Sequence, residues 1–254
     1  MIRWIVFSRN RAYQLYGLLQ TAMDHGVINL ADVAVLTRYD AEHQASLDVV
    51  KAVFPYCHWV ARTDFELDVR AALDMAGETV AFATDDSLFT RMVRWHVGEV
   101  ALEDGVAAYS HRLGLHLRHC YPLDAAQPLP AGLMDTGSFL IWNFRGAAVD
   151  WGCLGSIDAT QFRTADVNRW IAGATTPNQL EDVLNARIEG SVAACGPLAS
   201  YFTNPINVVQ TTHRNRHGGG TVDELRDRFM AGQRPAVDSV ARMLNVSCHQ
   251  EVEI

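Results

Sequence analysis

Along the first hundred residues, short unbroken apolar runs alternate with longer stretches in which apolar positions recur every three or four residues. Trp4 to Phe7 is a run of the first kind, and Arg11 to Met23 carries Tyr13, Leu15, Leu18, Leu19 and Ala22 at helical spacing. The rhythm then repeats. Val33 to Thr37 predicts a strand, Ala41 to Val53 a helix closed by Pro55, and His58 to Val60 a brief strand. Phe65 to Met75 predicts a helix and Thr79 to Ala83 another buried strand. Strands this uniformly apolar belong in a mostly parallel sheet with helices on both faces, so the pattern implies an α/β fold.

The second half is less regular. Val106 to Ser110 predicts a strand, and a Pro- and Ala-rich loop follows from Pro122 to Pro130. Ser138 to Trp142, Gly155 to Phe162 and Ile206 to Thr211 suit strand or loop, and helices are expected near Gln179 to Glu189 and Val222 to Met230. There is no internal repeat and no composition break that marks a linker. A single domain over 1–254 is therefore expected.

Composition narrows the function classes. With 49% hydrophobic and 20% charged residues the chain is an ordinary globular protein. A net charge of −8 argues against nucleic acid as a partner, since phosphate backbones need a concentrated basic surface. The one local basic cluster, Arg214, Arg216 and His217, could grip a small phosphate. Five scattered cysteines without CxxC spacing read as reduced thiols, and no apolar stretch is long enough to span a bilayer. A cytoplasmic enzyme is expected, and peripheral contact with a membrane-bound acceptor is compatible with that.

The most informative segment is Val80-Ala81-Phe82-Ala83-Thr84-Asp85-Asp86-Ser87-Leu88-Phe89, an apolar strand ending in two carboxylates with a helix expected next. Ligands of open α/β sheets bind beyond the carboxyl ends of strands, where two acids can hold a divalent cation against a diphosphate. The competing reading is that one acid caps the helix expected near Ser87.

Together with Ser8-Arg9-Asn10-Arg11 after the first strand, Thr84-Asp85-Asp86-Ser87 about seventy-five residues later resembles GT-A-fold glycosyltransferases of the family 2 type. The resemblance to bacterial polysaccharide-type sugar transferases continues in order. It runs through Tyr109-Ser110-His111-Arg112-Leu113-Gly114, Gly155 to Phe162, Pro177-Asn178-Gln179-Leu180-Glu181 and Asn207-Val208-Val209-Gln210. It implies a nucleotide-sugar-binding half over 1–110 and an acceptor-facing half over 111–254. It also implies a nucleotide-sugar donor, with a UDP-sugar favoured, a saccharide or glycolipid acceptor, and Mn²⁺ or Mg²⁺ as cofactor.

Residue by residue, the resemblance implies that Asp85 contacts the nucleotide ribose and Asp86 the metal. A third acid is usual, and Ser87 stands in its place. Ser8, Arg9 and Arg11 would meet base and phosphate, and Asp40 would bond the base; as plain structure, Asn10 and Asp40 would instead cap helices. A general base for inverting transfer would come from Asp182, Glu181 or Asp158, with Asp182 slightly preferred. Acids in a first helical turn also serve the helix dipole alone. His213 would complete the metal shell, and Arg214 and Arg216 would stabilise the departing diphosphate from a glycine-rich loop.

Trp142, Phe144 and Trp151 suit either an acceptor platform or the core. His111, His116 and His119 have no ligand spacing and receive no role. A nucleotidyltransferase would want a glycine-rich basic loop where Phe7-Ser8-Arg9-Asn10-Arg11 has no glycine, and an aspartyl phosphatase would want acids at the end of the first strand. A non-catalytic sugar- or nucleotide-binding module of the same fold is the alternative from another class, and Ser87 is the residue that supports it.

Overall fold

A computed structural model describes residues 1–25, 29–207 and 216–254. In chain order the front half runs β1 (Ile2–Arg9), α1 (Ala12–Asp24), β2 (Val33–Arg38), α2 (Ala41–Val53), β3 (His58–Ala61), α3 (Phe65–Asp74) and β4 (Ala76–Thr84). The back half holds β5 (Ser87–Phe89), α4 (Trp95–Glu103), β6 (Tyr109–Ser110), β7 (His119–Cys120), β8 (Ala125–Ala126), β9 (Met134–Asp135) and β10 (Leu140–Asn143). It ends with β11 (Thr160–Arg163), α5 (Thr164–Trp170), α6 (Pro177–Arg187), β12 (Val192–Cys195), β13 (Tyr201–Thr203) and α7 (Val222–Met230).

One nine-stranded sheet organises the molecule, in the order β3-β2-β1-β4-β11-β6-β12-β10-β9. The first four strands are parallel, as the alternation of strand and helix requires. Beyond them β11 runs antiparallel to both β4 and β6, and β10 antiparallel to both β12 and β9. The pleat sorts alternate residues to opposite faces. Ile5, Phe7, Leu36, Val80 and Phe82 pack with residues of α3, α5 and α6. Trp4, Val6, Val35, Ala81 and Ala83 pack with residues of α1, α2 and α7. This is why the strands read as continuously apolar.

Where local chemistry is strong, the elements follow it. Asp64 caps α3 by accepting from Leu67 N at 3.0 Å, Thr176 caps α6 just ahead of Pro177, and Thr221 with Glu224 forms a capping box on α7. The expected helix directly after Asp86 does not form. Ser87 to Phe89 is instead β5, paired antiparallel with β13, and the next helix starts at Trp95. Neither acid caps a helix, because β13 offers Leu88 and Phe89 a buried pairing partner that the local pattern could not reveal. The Pro122 to Pro130 loop likewise contains β8, paired with β7. Among the described residues no helix is long and apolar enough to cross a membrane.

Candidate functional site

The carboxyl ends of β1, β2 and β4 meet at one cleft of about 540 Å³. The turn after β1 is shaped by Asn10, whose φ of 56° is tolerable for asparagine. Its amide donates to Asp40 Oδ2 at 2.6 Å and accepts from Asp40 N at 2.9 Å, tying the end of β1 to the start of α2. Asp40 sits at the cap position of α2, yet its carboxylate makes no capping bond. Asn10 is not a cap either, since Arg11 holds that position on α1.

Asp85 is 3% exposed and fully subscribed. Its Oδ2 accepts from Ser8 Oγ at 2.9 Å and from Arg9 N at 3.0 Å, and its Oδ1 accepts from Arg11 Nη1 at 3.0 Å. The same Arg11 nitrogen reaches Asp86 Oδ2 at 2.9 Å, while Nη2 donates to Asn207 O at 2.5 Å. Burial pushes the Asp85 carboxyl up, Arg11 draws it back and Asp86 raises it again, leaving it at about 6. Ser87 is fully buried and turned away from the cleft, hydrogen-bonding Thr84 at 3.0 Å and the Tyr201 hydroxyl.

That geometry bears on the cation expected at this place. Among the described residues no group of three or more acids, histidines or cysteines is arranged to hold a metal ion. A guanidinium already bridges both carboxylates, and the third position of the acidic motif faces the core. A divalent cation here would have to displace Arg11 from both carboxylates, and Ser87 would offer it no third ligand. His213 lies outside the described residues.

A second group of charges lines the same cleft from the back half. Asp158, at the approach to β11, accepts from Thr84 Oγ1 at 2.8 Å and pairs with His249 Nε2 at 3.5 Å. Burial alone would raise its carboxyl, but His249, Arg112 and Thr84 together hold it below the usual range. Burial lowers His249 in turn, and Asp158 and Asp150 more than offset that, so the imidazole is raised. Arg112 is buried and pairs with Asp150 at 3.4 Å.

Glu181, in the second turn of α6, is half-buried beside this group. Its carboxyl is pushed up to about 7, first by burial and then by the Asp158 charge, against the pull of Arg112, His249 and a Ser156 hydrogen bond. Asp182 lines the cleft but is exposed.

Ser8, Arg9, Arg11, Asp85, Asp86, Asp158, Glu181, Asp182 and Arg216 are thus brought to one cleft. Asp40 stands behind it, bound to Asn10. Arg216 pairs with Asp124 at 3.0 Å over the Tyr121 ring, and Arg214 lies with His213 outside the described residues. Trp142, Phe144 and Trp151 are core residues, the two tryptophans packed edge-to-face, so they make no acceptor platform. His111 is also buried, stacked on Trp95 and bonded to Gln161 at 3.0 Å. Sequence reasoning missed Arg112 and His249. Arg112 lay inside a noted motif, but its partner Asp150 is 38 residues away, and His249 comes from the end of the chain.

No family model matches the chain, and no curated protein matches it. Solved structures do. S. aureus TarS aligns at 15% identity over 80% of this chain and 36% of its own, with a TM-score of 0.51. The fold is GT-A-like. TarS 1–349 in complex with UDP-GlcNAc aligns at 12% identity over 85% of this chain and 60% of its own, with a TM-score of 0.47. A 4-diphosphocytidyl-2C-methyl-D-erythritol synthase aligns at 12% identity over 91% and 99%, with a TM-score of 0.44. The chain spans about a third of the length of TarS. At this identity the likeness concerns the GT-A-like fold, and the chemistry has to come from the cleft.

Proposed function

We propose that this GT-A-like chain is a glycosyltransferase that moves a sugar from a nucleoside diphosphate donor to a hydroxyl acceptor. The observation that carries the reading is the pairing, in one cleft, of two adjacent acids beyond a parallel strand, the first of them buried, with a carboxyl poised at about 7. In this reading residues 1–110 hold the donor through Ser8, Arg9 and Asp85, and residues 111–254 receive a saccharide or glycolipid acceptor. A UDP-sugar is the donor to try first.

Glu181 is the base in this scheme, ahead of Asp182. A base works best when its pKa lies near the working pH, and Glu181 is the acid raised to that range. Its carboxylate takes the acceptor hydroxyl proton as the oxygen attacks the anomeric carbon, and the bond to the nucleoside diphosphate breaks on the opposite side, inverting the centre. Asp158, kept ionised by His249, faces the positive charge that develops on the sugar. Arg216 stands on the cleft wall where the diphosphate would depart. Arg11 takes the cation's place in holding Asp85 and Asp86 together.

The alternative, a non-catalytic binding module, draws on Ser87 being used for packing. Against it stands Glu181, whose raised carboxyl is a cost to the fold that mere binding does not require. Calorimetric titration of nucleoside diphosphates and nucleotide-sugars into the wild type and Glu181→Gln separates the two. The enzyme reading expects one nucleotide to bind both proteins equally, while sugar transfer falls by about 10²- to 10⁴-fold in Glu181→Gln. Binding with undiminished transfer in the variant removes Glu181 as base. No nucleotide binding by the folded wild type removes the transferase reading.

A further inference from the structure

Three arginines stand in a row across the cleft's outer edge, and among the described residues none of them forms a side-chain ion pair. Arg9 closes β1 and Arg38 closes β2, and the parallel register places the two directly side by side. Thr37 pairs with Ala61 on β3, so Arg62, one residue on, continues the row; its N donates to Thr37 O at 2.8 Å. In-register neighbours on a pleated sheet point to the same face, and all three side chains line the cleft.

The cleft's other described arginines are paired: Arg11 with Asp85 and Asp86, Arg112 with Asp150, Arg216 with Asp124. Arg9, Arg38 and Arg62 form no side-chain ion pair with any described residue, although the chain has 29 acids and only 21 lysines and arginines. The acids near them are committed elsewhere. Asp40 is bonded to Asn10, Asp64 to Leu67 N, and Asp68 to the backbone N of Thr63 and Asp64. Arg62 lies 5.3 Å over the Phe65 ring, which fixes its plane without neutralising it. Burial and then the charges of Arg38 and Arg9 hold its guanidinium below the ordinary value, as expected of cations that repel one another. Like charges gathered in an acidic protein oppose folding unless something else uses them.

We propose that Arg9, Arg38 and Arg62 form a phosphate-binding rake, which receives a phosphate group of the substrate other than the one at the reacting bond. Guanidinium forks suit tetrahedral oxyanions, and three in line can share one phosphate's oxygens. The rake lies at the ends of β1 to β3, while Asp158 sits just before β11, on the other side of β4 in the sheet, with Glu181 on α6 beside it. On the transferase reading, which supplies only this direction, the phosphate belongs either to the donor's ribose end or to a phosphate-bearing acceptor. Binding of phosphate itself does not depend on that reading.

The test is calorimetric titration of the full chain at low salt with pyrophosphate, with a nucleoside 3′,5′-bisphosphate against its 5′-monophosphate, and with glycerol 3-phosphate. The wild type is compared with Arg38→Gln/Arg62→Gln and with Arg38→Lys/Arg62→Lys. The rake predicts that pyrophosphate affinity drops about tenfold or more in the glutamine variant and much less in the lysine variant, and that it weakens with added salt. A bisphosphate advantage that the glutamine variant loses assigns the phosphate to the donor ribose. Glycerol 3-phosphate binding lost in that variant assigns it to the acceptor. Equal pyrophosphate affinity in the wild type and a folded glutamine variant overturns the proposal. Pyrophosphate binding that depends on the rake, in a chain that binds no nucleotide, keeps the rake and removes the transferase reading.

Discussion

Glu181 and Asp158 show how neighbouring carboxyls are driven apart. Glu181 is raised from 4.5 to about 7, so the folded chain holds its proton more tightly than the unfolded chain does. That contribution to stability is full below the unfolded pKa and is lost as pH rises through about 7. Asp158 is lowered, so its contribution is present above its unfolded pKa and fades as pH falls. Glu181→Gln is therefore expected to gain roughly 2 to 3 kcal/mol more over the wild type at pH 8 than at pH 5. Urea denaturation at the two pH values checks this; an equal effect at both would deny the raised carboxyl. Arg112 poses the opposite case. Asp150→Ala leaves a buried guanidinium without its partner and should cost about 3 to 5 kcal/mol, measured the same way. The acids themselves were legible in the sequence; which one is raised was not, because the shift comes first from burial in the folded cleft and then from the Asp158 charge, with Arg112 and His249 opposing it, and all of these come from distant parts of the chain.

At the scale of elements, the placing of Glu181 depends on how α6 seats against the loop before β11. Gly155 N donates to Asn185 Oδ1 at 2.7 Å, and a Cβ on Gly155 would overlap the backbone of Asn185. Gly155→Ala should therefore lift α6, costing about 1 to 3 kcal/mol and reducing sugar transfer more than nucleotide affinity. Thermal unfolding and a comparison of transfer rate with nucleotide Kd would show it; unchanged transfer would mean that α6 is not what positions the base. The front-half elements were legible because the unbroken apolar runs of the strands and the period-3.6 patterns of the helices there are clean. Both α2 and α7 have the bounds their patterns predict. The signal fails for β7, β8 and β9, each two residues long, and for β5, whose strand state depends on a partner more than a hundred residues away. Helix α4 was missed because the expected helix had been placed too early, directly after the acids.

For the molecule as a whole, the question is what neutralises charge in the cleft. With Arg11 bridging Asp85 and Asp86, nucleotide affinity is expected to change less than about threefold between EDTA and Mn²⁺, and Arg11→Gln is expected to acquire Mn²⁺ binding, since it leaves two adjacent carboxylates without a cation. Calorimetry with and without chelator, and metal titration of the variant, measure both. Nucleotide binding that requires Mn²⁺ in the wild type would return the cation to Asp86 and His213. The sequence alone determined the parallel α/β half and the position of the acid pair at a strand end, because these follow from local periodicity and from where strands stop. Only the tertiary structure decided that Arg11 spans the acid pair, that Ser87 faces the core, that His249 steadies Asp158 and that Arg9, Arg38 and Arg62 form a row. Those outcomes depend on strand register and on contacts between residues far apart in the chain, and no local pattern encodes them.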